Sequence, residues 1–157
     1  MKLYIKQQLF RLTDTYDIFD EDGEQKYYAK CDFSFAFHKL RVRDQFEEFG
    51  FVQQRFNLFV PKFSFFIYEQ CLGDIVKDIT LFRPSYSMDF NGWRIQGDFL
   101  AMDYTVYDQN NNIVMTFQKE LFSFGDRYCL NIVDEKNERL CVLIALAVDM
   151  ALCCEDR

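Results

Sequence analysis

The stretch Leu140-Cys141-Val142-Leu143-Ile144-Ala145-Leu146-Ala147-Val148-Asp149-Met150-Ala151-Leu152 is apolar at every position except Asp149. It predicts an α-helix that is apolar on all sides, with Asp134 or Asn137 available as its N-terminal cap. The run is shorter than the roughly 20 apolar residues that cross a bilayer. Such a helix has to be surrounded by protein, so the rest of the chain is expected to form a layer around it.

The sequence before this helix contains a repeated unit. Residues 5–18 recur without a gap as 117–130, and the same frame fits 29–42, 52–65 and 75–88, while 95–106 fits with a shorter turn. Four positions of the unit are apolar in all six copies: Ile5/Ala29/Val52/Ile75/Ile95/Phe117, Leu9/Phe33/Phe56/Ile79/Phe99/Leu121, Tyr16/Leu40/Phe63/Tyr86/Tyr104/Tyr128 and Ile18/Val42/Phe65/Met88/Val106/Leu130.

Each unit is interpreted as a β-hairpin. The apolar positions are separated by even numbers of residues, which is strand spacing. Turn residues lie at the centres of the units: Thr13-Asp14, Val60-Pro61, Arg83-Pro84 and Gly125-Asp126. Turn chemistry also separates the units, at Asp20–Gly23, Asn91-Gly92 and Asp108–Asn112. Six hairpins predict twelve antiparallel strands, and a closed barrel of about twelve strands has room for a helix about 10 Å in diameter.

One position of the unit is not apolar. Because side chains alternate between the two faces of a strand, this position should share a face with the apolar columns. Its occupants in the six copies are mostly polar: Gln7, Cys31, Gln54, Lys77, Gly97 and Lys119. Two interpretations are open. Either a β-bulge turns these residues away, or they form a polar ring inside the barrel.

Four stretches resemble the LURP-one-related proteins: Gln7-Gln8-Leu9-Phe10-Arg11-Leu12-Thr13-Asp14-Thr15-Tyr16, Trp93-Arg94-Ile95-Gln96-Gly97-Asp98-Phe99, Phe122-Ser123-Phe124-Gly125-Asp126-Arg127-Tyr128 and Ala145-Leu146-Ala147-Val148-Asp149. The likeness covers nearly the whole chain. It implies one domain over residues 1–157 in the tubby C-terminal-like superfamily, which includes phospholipid scramblases. The fold implied is mainly β, a closed twelve-stranded antiparallel barrel around a hydrophobic C-terminal helix. Tubby domains bind phosphoinositides in a basic pocket, a feature not visible in this sequence.

Composition and charge limit the classes of function. With 18 Lys and Arg against 25 Asp and Glu, the net charge of −7 argues against a nucleic-acid-binding protein, and 50% hydrophobic residues argue against disorder. Lys6 interrupts the apolar N-terminal run, so no signal peptide is predicted and a cytoplasmic location is expected. The six cysteines contain no CxxC pair and are expected to be free thiols.

Candidates for chemistry are few. The single histidine, His38, is expected at a hairpin turn, and no Gly-x-Ser-x-Gly motif accompanies it. Asp20-Glu21-Asp22-Gly23-Glu24 lacks the distal glutamate of a calcium loop and is better explained as a turn. No catalytic residue, metal or cofactor is predicted. Asp149 is expected to have a structural role, held by a backbone amide, a tyrosine or tryptophan, or a basic side chain.

The function expected is that of a non-enzymatic binding or scaffold protein inside the cell, with an unknown ligand. The alternative is a module at the membrane surface that binds phosphoinositide or anionic-lipid head groups, and a protein partner is also open. A barrel can gather basic residues for such a head group from two sets: Lys2, Lys6 and Arg11, and Arg41, Arg43, Arg55 and Lys62.

Overall fold

A computed structural model describes the backbone of residues 1–10, 13–33, 37–55, 62–78, 85–120 and 127–155, and their side chains apart from 7–10, 13, 14, 33 and 153–155. The strands are β1 (Lys2–Phe10), β2 (Thr13–Phe19), β3 (Gln25–Phe33), β4 (His38–Arg43), β5 (Glu48–Arg55), β6 (Lys62–Ile67), β7 (Gln70–Lys77), β8 (Ser85–Met88), β9 (Arg94–Asp98), β10 (Asp103–Tyr107), β11 (Ile113–Glu120) and β12 (Arg127–Ile132). A 3₁₀ turn (Glu135–Asn137) leads into helix α1 (Glu138–Glu155).

These strands form a closed antiparallel barrel, as predicted. Each strand pairs with its neighbours in sequence, and β1 pairs with β12 to close the sheet. In this closed order, each described strand has a hydrogen-bonded neighbour on both sides.

The register of the hairpins confirms the repeated unit. The first and fourth apolar columns pair directly across each hairpin: Ile5–Ile18, Ala29–Val42, Val52–Phe65, Ile75–Met88, Ile95–Val106 and Phe117–Leu130. All twelve side chains are buried. Because directly opposite residues share a face of the sheet, these pairs form one layer of the barrel's interior. Thr13 and Asp14 begin strand β2 and pair with Phe10 and Leu9, so the turn predicted at Thr13-Asp14 is wrong. The other predicted turn residues, Val60-Pro61, Arg83-Pro84 and Gly125-Asp126, lie outside the described residues.

Helix α1 is the core of the barrel. Every residue from Cys141 to Val148 is buried, and Leu143 and Ala147 are 0% and 1% exposed. Asp134 is confirmed as a capping residue: its side chain accepts a hydrogen bond from the Lys136 amide in the 3₁₀ turn that precedes the helix. In the described part of the chain, no helix is long and apolar enough to cross a membrane.

The polar position of the unit is not turned away by a bulge. Gln54 lies opposite Phe63, Lys77 opposite Tyr86 and Lys119 opposite Tyr128, in regular register with the third apolar column. The register shifts that do occur lie toward the other end of the strands, at 18/19, 42/43, 65/66 and 106/107. The bulge interpretation is therefore wrong at these positions, and the polar residues belong to the inner face at one end of the barrel.

Gly97 occupies this position for a steric reason. It lies opposite Tyr104 and has φ +153°, a conformation that L side chains rarely adopt. A Cβ there would lie only 2.3 Å from the backbone oxygen of Asp103. Any other residue would therefore have to push the two strands apart.

Candidate functional site

The structure separates the two sets of basic residues. Lys2 and Lys6 are exposed on β1, and Lys6 lies opposite Asp17 of β2. Arg11 lies outside the described residues. The second set occupies three neighbouring strands, with Arg41 and Arg43 on β4, Arg55 on β5 and Lys62 on β6. Strands β2 and β3 stand between the sets, so the seven residues do not form one patch.

The second set surrounds a surface that we call the β4–β6 surface, formed by outward-facing residues of three strands: Lys39, Arg41, Phe51, Arg55, Lys62 and Phe66. Their orientation follows from alternation, because the residues between them, such as Leu40, Val52 and Phe65, are buried in the core. Arg41 is paired with Phe51, and Phe51 with Phe66, in one row across the sheet.

Two stacked rings lie at the centre of this surface. The centroids of Phe51 and Phe66 are 4.3 Å apart and their planes differ by 12°. The Lys39 ammonium lies 3.7 Å from the Phe51 centroid, and the Arg55 guanidinium carbon lies 5.8 Å from that of Phe66. Cation–π contacts of this kind hold the two basic groups over the rings instead of letting them extend freely into solvent.

The basic groups differ in how far they are already neutralised. Arg41 forms ion pairs of 3.1 Å with both Asp32 and Glu48. Arg55 Nε donates to Ser64 Oγ at 3.1 Å, and Ser64 Oγ in turn donates to Asp74 Oδ1 at 2.5 Å.

Lys39, Arg55 and Lys62 form no ion pair with any carboxylate in the described ranges. Arg55 and Lys62 are also direct cross-strand partners, although like charges opposite each other destabilise a sheet. An anion bound between them would relieve that repulsion. The β4–β6 surface therefore has the charge pattern of an anion site.

Sequence analysis found Arg41, Arg43, Arg55 and Lys62 but missed three members of this surface: Lys39, Phe51 and Phe66. The repeated unit indicates that these three residues face outward, because they alternate along the strands with residues of the buried columns. Cross-strand register then decides which outward residues are neighbours, and register is known only once the hairpins are aligned.

Asp149 is the second candidate for a functional role. It lies inside the barrel, at the end that carries the polar residues of the repeated unit, such as Gln54 and Lys77. Tyr16 donates its hydroxyl to Asp149 Oδ2 at 2.5 Å, so a tyrosine donor, one of the expected alternatives, holds this carboxylate. Tyr104 lies in the same layer, and its hydroxyl is buried with no hydrogen-bond partner among the residues that the structure describes. Burial, and then the nearby Asp149 carboxylate and Cys141, raise the pKa of Tyr104 well above its ordinary value, so its hydroxyl stays neutral.

The structure also shows where the other residues singled out from the sequence lie: the histidine, the acidic turn and the cysteines. His38 is the first residue of β4, opposite Phe33. Asp20 Oδ1 accepts hydrogen bonds from the amides of Asp22 and Glu24, which confirms the turn at Asp20–Gly23. Cys31, Cys71, Cys129 and Cys141 are free thiols. Among the described residues, no group of three or more His, Cys, Asp or Glu is arranged to hold a metal ion.

Comparison with known proteins extends the resemblance noted in the sequence. The model of the LURP-one-related family matches residues 1–149. The chain belongs to the LURP-one-related family. A relative, the uncharacterized protein YxjI of Bacillus subtilis (strain 168), is 25% identical over 153 residues, which cover 97% of this chain and 94% of the relative. No solved structure matches the chain significantly. The match to the LURP-one-related family therefore extends over nearly the whole chain. The description of that family names no ligand.

Proposed function

We propose that this LURP-one-related protein is a non-enzymatic binding module whose β4–β6 surface binds the phosphorylated head group of an anionic lipid. The observation that carries the proposal is a set of cations that have no carboxylate partner within the described part of the chain: Lys39, Arg55 and Lys62. An anion held between Arg55 and Lys62 would accept charge-assisted hydrogen bonds, which are stronger than those between neutral groups. The cytoplasmic leaflet is the place where such lipids are concentrated.

The aromatic pair supports a lipid surface rather than a free anion. Phe51 and Phe66 are partly exposed apolar groups directly beside the cations, and aromatic rings favour the interface between head groups and water. The net charge of −7 opposes long-range attraction to an anionic membrane. Binding is therefore expected to depend on local contacts with a multiply charged head group more than on general surface charge.

The test is sedimentation with vesicles of phosphatidylcholine alone, or with added phosphatidylserine or phosphatidylinositol bisphosphate. We expect binding only to the anionic vesicles, strongest with the bisphosphate, and weaker binding at higher salt. The double variant Arg55→Gln/Lys62→Gln should lose most of this binding. The matched control, Lys2→Gln/Lys6→Gln, removes the same charge from β1 and should keep it.

A second arm separates a lipid from a soluble phosphate. A water-soluble inositol phosphate is titrated without vesicles, and binding that is equally strong there would assign the surface to a soluble ligand. If neither vesicles nor inositol phosphate bind at low salt, or if the β1 control loses as much binding as the β4–β6 variant, the proposal is wrong.

A further inference from the structure

A groove crosses the end of the barrel at which helix α1 begins. It lies between the turn at residues 20–24 and the turn at residues 44–47, has a volume of about 400 Å³ and is continuous with a smaller cavity of about 220 Å³. Lys26, Tyr27 and Arg139 line it, and Phe46 stands at its rim with 80% of its surface exposed. Its size falls within the range of sites that hold small molecules or short peptide segments.

The cations in this groove are already held by the protein's own groups. Lys26 Nζ lies 2.6 Å from Glu138 Oε1, and Tyr27 donates its hydroxyl to the same oxygen at 2.9 Å. Arg139 Nη2 donates to Asp44 Oδ2 at 3.1 Å, while Nη1 donates to the Tyr68 hydroxyl. These cations therefore have little free capacity for an anionic guest.

The carboxylates around the groove are in excess. Three carboxylates line the groove and the smaller cavity, against three cations: Asp20, Glu24 and Asp44 against Lys26, Arg43 and Arg139. The same two turns and the start of α1 add four carboxylates outside that lining: Glu21, Asp22, Glu47 and Glu138. The side chains of Asp22, Glu24 and Glu47 have neither an ion-pair nor a hydrogen-bond partner among the residues described here. This end of the barrel therefore offers uncommitted negative charge, opposite in sign to the β4–β6 surface.

Arg139 shows how this region holds a guanidinium group. Its guanidinium carbon lies 4.9 Å from the ring centroid of Phe49 and 5.5 Å from that of Tyr68, with the Asp44 carboxylate bound at its end. The groove offers the same two elements to a guest, the exposed ring of Phe46 and the uncommitted carboxylate of Glu24. Aromatic rings with carboxylates beside them favour arginine in particular.

We infer that this groove binds an arginine-bearing segment of a partner protein. A guest guanidinium would pack on the Phe46 ring and pair with Glu24, while the surrounding excess of carboxylates attracts the basic segment and speeds its association. The proposal goes beyond the lipid surface and is independent of it, because it uses different residues and the opposite charge.

The test uses a fluorescein-labelled peptide of alternating glycine and arginine, measured by fluorescence anisotropy at low salt. A peptide in which glutamate replaces arginine is the charge-reversed probe. We expect only the arginine peptide to bind, and Glu24→Gln and Phe46→Ala each to weaken it about two- to fivefold. Both side chains are exposed, so these variants should fold.

Two controls make the outcome decisive. Asp103→Asn removes one exposed charge from β10, nearly opposite β3 in the barrel, and should leave peptide binding unchanged. Arg55→Gln/Lys62→Gln should also leave it unchanged, even where it abolishes vesicle binding. The inference fails if Asp103→Asn weakens binding as much as Glu24→Gln, or if the arginine peptide does not bind. It also fails if light scattering shows concentration-dependent self-association that Phe46→Ala removes, because the occupant would then be a second copy.

Discussion

The Tyr16 hydroxyl donates a hydrogen bond of 2.5 Å to Asp149 Oδ2, across 133 positions of sequence. The bond ties strand β2 to the helix inside the barrel, near the helix C-terminus, where the helix dipole disfavours a negative charge. A hydrogen bond to a charged acceptor compensates for the partial burial of the carboxylate. The pair helps to accommodate the one acidic residue in the apolar run from Leu140 to Leu152.

A double-mutant cycle measures this bond. Tyr16→Phe removes the donor, whereas Asp149→Asn keeps an acceptor and removes the charge. We expect each single variant to lose stability and the coupling energy to be about 1 to 2 kcal/mol, measured by urea unfolding. Strictly additive losses would show that the bond contributes nothing. If Asp149→Asn kept full stability but lost binding of vesicles or peptide, the structural role of Asp149 would be wrong.

The Tyr104 hydroxyl gives the opposite expectation. Its ring stacks on Phe99 and Phe117, with centroids 5.6 Å and 4.7 Å away, but no group in the described ranges bonds to the buried hydroxyl. Tyr104→Phe keeps the stacking and removes the unsatisfied group, so we expect unchanged stability or a gain of about 1 kcal/mol. Thermal unfolding beside the matched variant Tyr16→Phe is the measurement. A loss at Tyr104 as large as that at Tyr16 would mean that the Tyr104 hydroxyl has a partner after all.

The hairpins were predictable because burial repeats along the sequence. Ile5 and Ile18 are both apolar and both buried, and the same pairing recurs in every unit. A stripe of apolar residues is easy to recognise in a sequence, because folding moves each of these side chains from water into the core and only apolar residues gain free energy from that transfer. The helix was predictable for the same reason, since Leu143 and its neighbours have no polar face.

The candidate sites were less predictable because they depend on register and on contacts distant in sequence. Arg55 and Lys62 were recognised as basic, but Lys39 and the Phe51–Phe66 stack become their neighbours only through the pairing of β4, β5 and β6. The groove joins turns at residues 20–24 and 44–47 with Arg139, and no local pattern links these segments. Side chains at outward positions are under weak packing constraints, so sequence alone does not indicate which of them meet.

The burial of helix α1 predicts that a charge on it is not tolerated. Ala147 is 1% exposed and surrounded by the barrel, so Ala147→Asp introduces a carboxylate without a partner and should abolish soluble expression. Val133→Asp is the matched control at a position that is 65% exposed, and it should express normally. Soluble yield and far-UV circular dichroism compare the two. A folded, monomeric Ala147→Asp protein would contradict the placement of the helix inside the barrel.

Asp44 predicts how the stability of the groove region depends on pH. The amides of Glu47 and Phe46 donate hydrogen bonds to its carboxylate, and Arg139 lies beside it, so its pKa is lowered from its ordinary value of 3.8. Because this pKa is lowered in the folded state, the charged Asp44 carboxylate contributes its full stabilisation above pH 3.8. That contribution is lost as the pH falls through the pKa of Asp44 in the folded protein. Asp44→Asn removes this dependence.

We therefore expect the wild type to be more stable than Asp44→Asn near neutral pH, and the two curves to converge as the pH is lowered to about 2. Urea unfolding at a series of pH values is the measurement. The amides of Glu47 and Phe46 lower the pKa of Asp44 more than Arg139 does, so repeating the comparison in an Arg139→Gln background should keep most of the pH-dependent difference. Loss of the whole difference in that background would show that the ion pair, and not the turn, sets the charge of Asp44.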